Sequence, residues 1–190
     1  MKAGVCIAAI MLASVSDAGC GVFGTRDPEP PITGGGTYRQ PDTAEQVVSN
    51  LQSAVEELNT LNYRRSFSDG FEFTPTSTAE ANNPIWSGWS VTNEEQYFSA
   101  LSSAAQFSVG HELVLDNASP VPVSERMSVV DSGYTLTINH NRPDIATEFA
   151  GQLRWEIEQG DDGLWRLIRW TDRELGSNPS WSDLKAEFVD

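Results

Sequence analysis

The hydrophobic period of this chain changes once, between Ala105 and Val109, and that change limits the folds open to it. Before it, apolar residues recur at helical spacing. Ala44, Val47, Val48, Leu51, Val55 and Leu58 share one face of a helix predicted from Thr43 to Leu58, and Thr43 with Gln46 makes a capping pair at its start. A short helical turn follows over Thr60–Ser66, and Phe71-Glu72-Phe73 alternates as a short strand. Thr74–Thr92 reads as a polar loop that nevertheless carries Trp86 and Trp89. Asn93, with Gln96 three residues on, is the expected cap of a third helix whose apolar face is Tyr97, Phe98, Leu101, Ala104 and Ala105.

After the change the period is two. Val109, His111, Leu113 and Leu115 lie on one face of a strand. A long strand is expected over Val121–His140 with a bulge at Ser132-Gly133, then strands over Thr147–Gln159 and Leu164–Thr171. Asp161-Asp162-Gly163 suits a three-residue hairpin loop with Gly163 left-handed, which sets Gly160 against Leu164. That register pairs Glu158 with Arg166, Ile157 with Leu167, Trp155 with Arg169 and Arg154 with Trp170. Ser180 opens a last helical turn with Trp181, Leu184 and Phe188 on one side. Helices first and strands after give an α+β domain with a strongly curved antiparallel sheet wrapped around the N-terminal helices.

The domain occupies 43–190, and two other segments precede it. Lys2 followed by the apolar run Ala3–Val15 is too short to span a bilayer, which needs roughly 20 apolar residues, and has the make-up of a signal peptide over 1–19. Ala18-Gly19-Cys20 resembles the end of a bacterial lipobox, with Asp17 standing where an aliphatic residue is usual. A cut after Ala18, releasing a soluble secreted chain, is the alternative. Of the two cysteines, Cys6 would leave with the leader, so Cys20 has no partner for an internal disulfide. A lone thiol at a flexible end serves a lipid anchor better than anything else. Segment 20–42, with Gly34-Gly35-Gly36 and Pro28, Pro30, Pro31 and Pro41, reads as a tether reaching on the order of 25 Å. These readings place the protein in the bacterial cell envelope, membrane-anchored through Cys20.

Charge excludes one class of partner. Asp and Glu number 27 against 12 Lys and Arg, a formal charge of −15, and a field of that sign repels nucleic acid and anionic lipid.

The order of elements, the opening TAEQVVSNLQSAVEELNTLNYRRSFSDGFEF, the NEEQYFSAL helix and the closing GLWRLIRWTD strand resemble the NTF2-like (SnoaL-like, cystatin-like) superfamily. The resemblance covers about 43–175 and lies closest to bacterial lipoproteins carrying such a domain. It implies a cone lined by aromatic side chains, and a homodimer through the outer sheet face is one arrangement that members adopt. Some members are isomerases or dehydratases with an Asp or His base in the cone, while others bind ligands or partners without chemistry.

The residues themselves present no complete catalytic set. Only two histidines occur, His111 and His140. His111 is in phase with Leu113 and Leu115 and is the one candidate base, with Tyr134 or Tyr97 as acid, but a hydrogen-bonded structural histidine is the simpler account. Asp116 is one residue out of phase with it. No metal-ligand spacing, phosphate loop or nucleophile elbow is present, so neither metal nor cofactor is expected. Trp86, Trp89, Tyr97, Phe98 and His111 are the candidate ligand-binding residues: the tryptophans either plug the cone mouth or form a lid over an apolar ligand. The expectation is a non-catalytic binding domain for a small apolar ligand or an envelope protein, with an isomerase- or dehydratase-type enzyme as the alternative.

Overall fold

The computed structural model describes residues 35–189. The signal peptide, Cys20 and most of the tether segment lie outside the described residues. Three helices open the domain: α1 (Ala44–Glu56), α2 (Thr60–Arg65) and, after strand β1 (Phe67–Thr74), the short α3 (Ser77–Asn82). A single 3-10 turn (Pro84–Trp86) leads to α4 (Val91–Ala104). Then come β2 (Glu112–Leu115), β3 (Val121–Ser124), β4 (Met127–Thr137), β5 (Glu148–Gln159), β6 (Trp165–Glu174) and α5 (Trp181–Phe188). No helix among the described residues is long and apolar enough to cross a membrane.

The caps explain where the helices start. Thr43 accepts the N–H of Gln46, while the Gln46 side chain accepts the N–H of Asp42, one residue before the cap. The start of α4 is three residues earlier than expected, because Ser90 rather than Asn93 takes the capping position. Asn93 serves as the returning member of that box, accepting the Ser90 N–H at 3.0 Å. The stretch read as loop contains α3, capped by Thr76, whose side chain accepts the Ala79 N–H at 3.2 Å.

The sheet has six strands, curved and unclosed, in the order β1-β6-β5-β4-β2, with β3 pairing to the other end of β4. Every pairing is antiparallel except β1 with β6. The expected long strand over 121–140 is instead a hairpin, β3 and β4, turning at Glu125-Arg126. Ser132 and Gly133 pair in regular register with Leu153 and Gln152. Gly133 marks a close approach rather than a bulge: a Cβ there would collide with the carboxylate of Asp116.

The last hairpin follows the expected register at its turn end and departs beyond it. Gly163 has φ +79, Gly160 faces Leu164, and Glu158 and Ile157 oppose Arg166 and Leu167. A bulge at Ile168 then sets Glu156 against Arg169, Trp155 against Trp170 and Arg154 against Thr171. Both indoles thereby face inward, fully buried and T-shaped at 5.6 Å. Arg169 is left outside to pair with Glu156 at 2.9 Å, and Arg154 pairs with Asp131 at 2.6 Å instead of stacking on Trp170.

The core lies between the concave face of the sheet and α1, α4 and α5. Residues 35–41, the end of the segment read as tether, are held against it. Buried Asn50 accepts the Arg39 N–H at 3.0 Å and donates to its carbonyl at 2.7 Å, and buried Asn62 donates to the Gly35 carbonyl at 2.8 Å.

Candidate functional site: the filled cone

The concave face is built from inward residues of β4, β5 and β6. Val130, Tyr134 and Leu136 sit opposite Trp155, Gly151 and Phe149, and Trp170 and Asp172 extend the face across β6. Gly151 is needed there. A Cβ at that position would stand 2.6 Å from the Tyr134 hydroxyl and 2.7 Å from the Arg173 carbonyl.

Helix α5 fills the space this face would otherwise enclose. Trp181, Leu184, Lys185 and Phe188 are all buried. The Trp181 ring meets Trp170 edge-on at 4.5 Å and Tyr134 at 5.6 Å, and its indole N–H donates to the Tyr97 hydroxyl at 3.0 Å. Polar groups fix the helix start. Ser180 and Asp183 form a capping box. Asp172 accepts from the Ser182 hydroxyl at 2.6 Å, the Ser182 N–H at 2.8 Å and the Tyr134 hydroxyl at 2.9 Å. Tyr134 in turn accepts the Trp181 N–H at 2.7 Å. Burial raises the Asp172 pKa, opposed by these hydrogen bonds and by Lys185.

Deepest in the cone is an ion pair. The Lys185 ammonium lies 2.8 Å from both carboxylate oxygens of Glu94, and neither side chain is more than 1% exposed. Glu94 also accepts from the Tyr63 hydroxyl at 2.6 Å and the Trp89 indole at 2.8 Å. The ammonium stands 3.5 Å from the Phe73 ring centroid and 3.7 Å from that of Trp170, so two aromatic faces complete its surroundings. Desolvation dominates and lowers the Lys185 pKa to about 8, with Glu94 pulling it back. Tyr63 and Tyr97 are pushed well above their ordinary range, chiefly by burial and then by the Glu94 charge.

Each residue expected at the site has a definite place. Trp86 and Trp89 are buried against each other and Phe73, Trp86 donating to the Ala79 carbonyl at 2.9 Å and Trp89 to Glu94. Phe98 stacks on Tyr63 with centroids 3.8 Å apart. Tyr97 and Tyr134 are held by α5. His111 lies elsewhere, lining a cleft of about 610 Å³ with Gln52, Glu56, Glu112 and Thr137. Its Nδ1 accepts the Asn139 N–H at 3.2 Å, its Nε2 is buried without a partner, and burial lowers its pKa. It shares no hydrogen bond with Tyr97, Tyr134 or any carboxylate among the described residues. No group of three or more His, Cys, Asp or Glu able to hold a metal occurs among them either.

Glu94, Asp172 and Lys185 went unread in the sequence, yet a signal for two of them exists. Lys185 is four residues after Trp181 and three before Phe188, and Glu94 three and four before Tyr97 and Phe98, so each sits on the apolar stripe of its helix. A charge on such a stripe calls for a buried partner of opposite sign.

Compared by sequence, the chain matches no family model and no curated protein. Solved structures match it across the domain. A candidate scytalone dehydratase from Novosphingobium aromaticivorans superposes with a TM-score of 0.54 at 12% identity, covering 72% of this chain and 89% of its own. A ketosteroid isomerase-like protein from Erwinia carotovora atroseptica gives 0.51 at 11%, covering 70% and 93%. An NTF2-like protein from Cytophaga hutchinsonii gives 0.50 at 11%, covering 68% and 93%. Such likeness speaks for architecture alone, and the architecture it identifies is the one the helix-then-strand order resembles: the described domain has the NTF2-like fold.

Proposed function

We propose that this chain is an exported envelope protein, lipid-anchored at Cys20, whose NTF2-like domain is a non-catalytic binding module that recognises its partner through its exterior. One observation carries the reading: the cone interior is filled by α5, with Trp181 and Lys185 on the aromatic and acidic groups an internal ligand would need. Of the two occupants expected from sequence, this favours an envelope protein over a small apolar ligand in the cone. The Cys20 anchor rests on Ala18-Gly19-Cys20 and on the absence of an internal partner for that thiol.

Native mass spectrometry of the full chain, extracted from the membrane fraction of an expressing bacterium in mild detergent, tests both parts. The expected species starts at Cys20, carries a diacylglyceryl group and retains no small apolar molecule. A chain starting at Gly19 in the soluble fraction would overturn the anchor. A stoichiometric apolar ligand that survives extraction from the wild type and equally from an Arg65→Met chain would overturn the filled cone.

A further inference from the structure

Outside the cone, the domain carries a cleft of about 840 Å³ between residues 38–41, the end of α2 and the β5–β6 turn, within the size range of ligand pockets. Its floor is apolar, with Phe67, Leu164 and Pro41, and three of the chain's few cations line it: Arg64, Arg65 and Arg166. Two of these already have carboxylate partners. Arg64 is 2.7 Å from Asp69 and 3.7 Å from Glu95, and Arg166 is bidentate on Asp162 at 2.6 and 3.1 Å. The third, Arg65, has no carboxylate partner among the described residues and lies 5.5 Å over the Tyr38 ring. Tyr38 sits between Arg65 and Arg166, both of which act to lower its phenol pKa against the larger effect of burial.

The cleft is built rather than incidental. Segment 37–41 has no regular secondary structure, yet both of its ends are fastened. Thr37 N–H donates to Glu57 at 2.7 Å, Asn50 holds Arg39 on both sides, and the Trp165 N–H donates to the Pro41 carbonyl at 2.8 Å. A buried Asn on the core face of α1 is costly unless paired, and its pairing presents Tyr38 and Pro41 to the cleft.

We infer that this cleft binds a monocarboxylate with an apolar or ring-shaped body, its carboxylate on Arg65 beside the Tyr38 hydroxyl and its body on Phe67 and Leu164. Charge sets the class. Arg64 and Arg166 are already met by Asp69, Glu95 and Asp162, which leaves Arg65 as the one lining cation without a carboxylate among the described residues, and a single carboxylate neutralises it. A dianion would leave the site negative in a chain already at −15. The inference stands apart from the anchor and from any protein partner.

The test is an NMR titration of the chain from Gly21 onward, with phenylacetate as probe and phenylacetamide and phenyl phosphate as controls, observed at the arginine Nε–H and backbone amides. Saturable shifts at Arg65, Tyr38 and Leu164 are expected with phenylacetate, weaker ones with the phosphate dianion and none with the amide. Arg65→Met, an exposed position, should weaken phenylacetate at least about tenfold, the worth of one charged hydrogen bond, with the rest of the spectrum unchanged. Absence of saturation up to tens of millimolar would overturn the inference, as would equal binding of the amide, tighter binding of the dianion, or an unaffected Arg65→Met.

Discussion

The Lys185–Glu94 pair couples two helices distant in sequence, and its chemistry is that of a buried ion pair rather than a surface one. Removing the acid strands the ammonium in the core, so Glu94→Gln should lower stability by about 3–5 kcal/mol, whereas Glu94→Gln with Lys185→Met should recover much of the loss. Urea unfolding of the single and double variants decides this, and equal losses in the two would deny the coupling. The pair also has a pH signature. In the fold Lys185 releases its proton near pH 8, while in the unfolded chain it keeps it to about 10.4. Between those values the unfolded state binds more protons, so stability rises with pH. Above about pH 10 the unfolded chain loses tyrosine protons that Tyr63 and Tyr97 retain in the fold, so stability turns downward. Unfolding midpoints from pH 7 to 11 should therefore pass through a maximum near pH 10, and Lys185→Met should lack the rising limb. A wild-type profile that only falls over this range would contradict the assignment.

At the level of elements, α5 is what separates this domain from an open cone. Trp181 packs on Trp170 and Tyr134 and bonds Tyr97, so Trp181→Ala should cost about 3–5 kcal/mol and open a cavity. A hydrophobic dye should then bind the folded variant and not the wild type; dye binding to both would mean that the cone is open without the mutation. Gly151 and Gly163 make a matched comparison. Gly163→Ala meets open space and suffers only its positive φ, about 1 kcal/mol. Gly151→Ala must displace both the Tyr134 hydroxyl and a backbone carbonyl, so it should cost clearly more and detach Tyr134 from Asp172. Thermal melts of the two variants rank them, and the reverse order would place the strain elsewhere. Much of this level was legible from residue types. Thr43, Ser180 and Gly163 announce caps and a turn through their own local chemistry, and each is found in that role. The β3–β4 turn was not legible, because Glu125-Arg126 carries no turn residue, and Gly133, which does, answers to a side chain from β2–β3 that no local pattern reveals. The Ile168 bulge was hidden for a related reason: it is chosen by the need to bury Trp155 and Trp170 together, a demand of packing rather than of hairpin geometry. At the candidate site, Tyr97, Phe98 and Trp181 are legible by period, while the charges among them, Glu94, Asp172 and Lys185, went unread.

For the whole molecule the deciding quantity is charge, and two effects of salt oppose each other. The outer sheet carries a chain of ion pairs across four strands, Asp131–Arg154–Glu156–Arg169–Glu72, with separations of 2.6, 3.6, 2.9 and 3.0 Å. Salt weakens such exposed pairs, but each contributes only about 0–1 kcal/mol, and at these distances screening acts slowly. Against them stands a net charge of −14 over residues 43–190, with 23 Asp and Glu against 9 Lys and Arg, in a domain with a radius of gyration of roughly 15 Å. At 0.01 M salt the screening length is about 30 Å, so acidic residues repel one another across the whole domain; at 0.1 M it is about 10 Å, and most of that repulsion is gone. The long-range term is the one that this step in salt removes, while the contacts near 3 Å survive it. Raising NaCl from 0.01 to 0.1 M should therefore raise the melting temperature at pH 7. Arg169→Met, which removes two of the four ion pairs in that chain, should show the same rise from a starting point lower by at most about 2 kcal/mol. A melting temperature that falls over this step, and falls less in Arg169→Met, would make the outer ion pairs the dominant electrostatic term and reverse the argument.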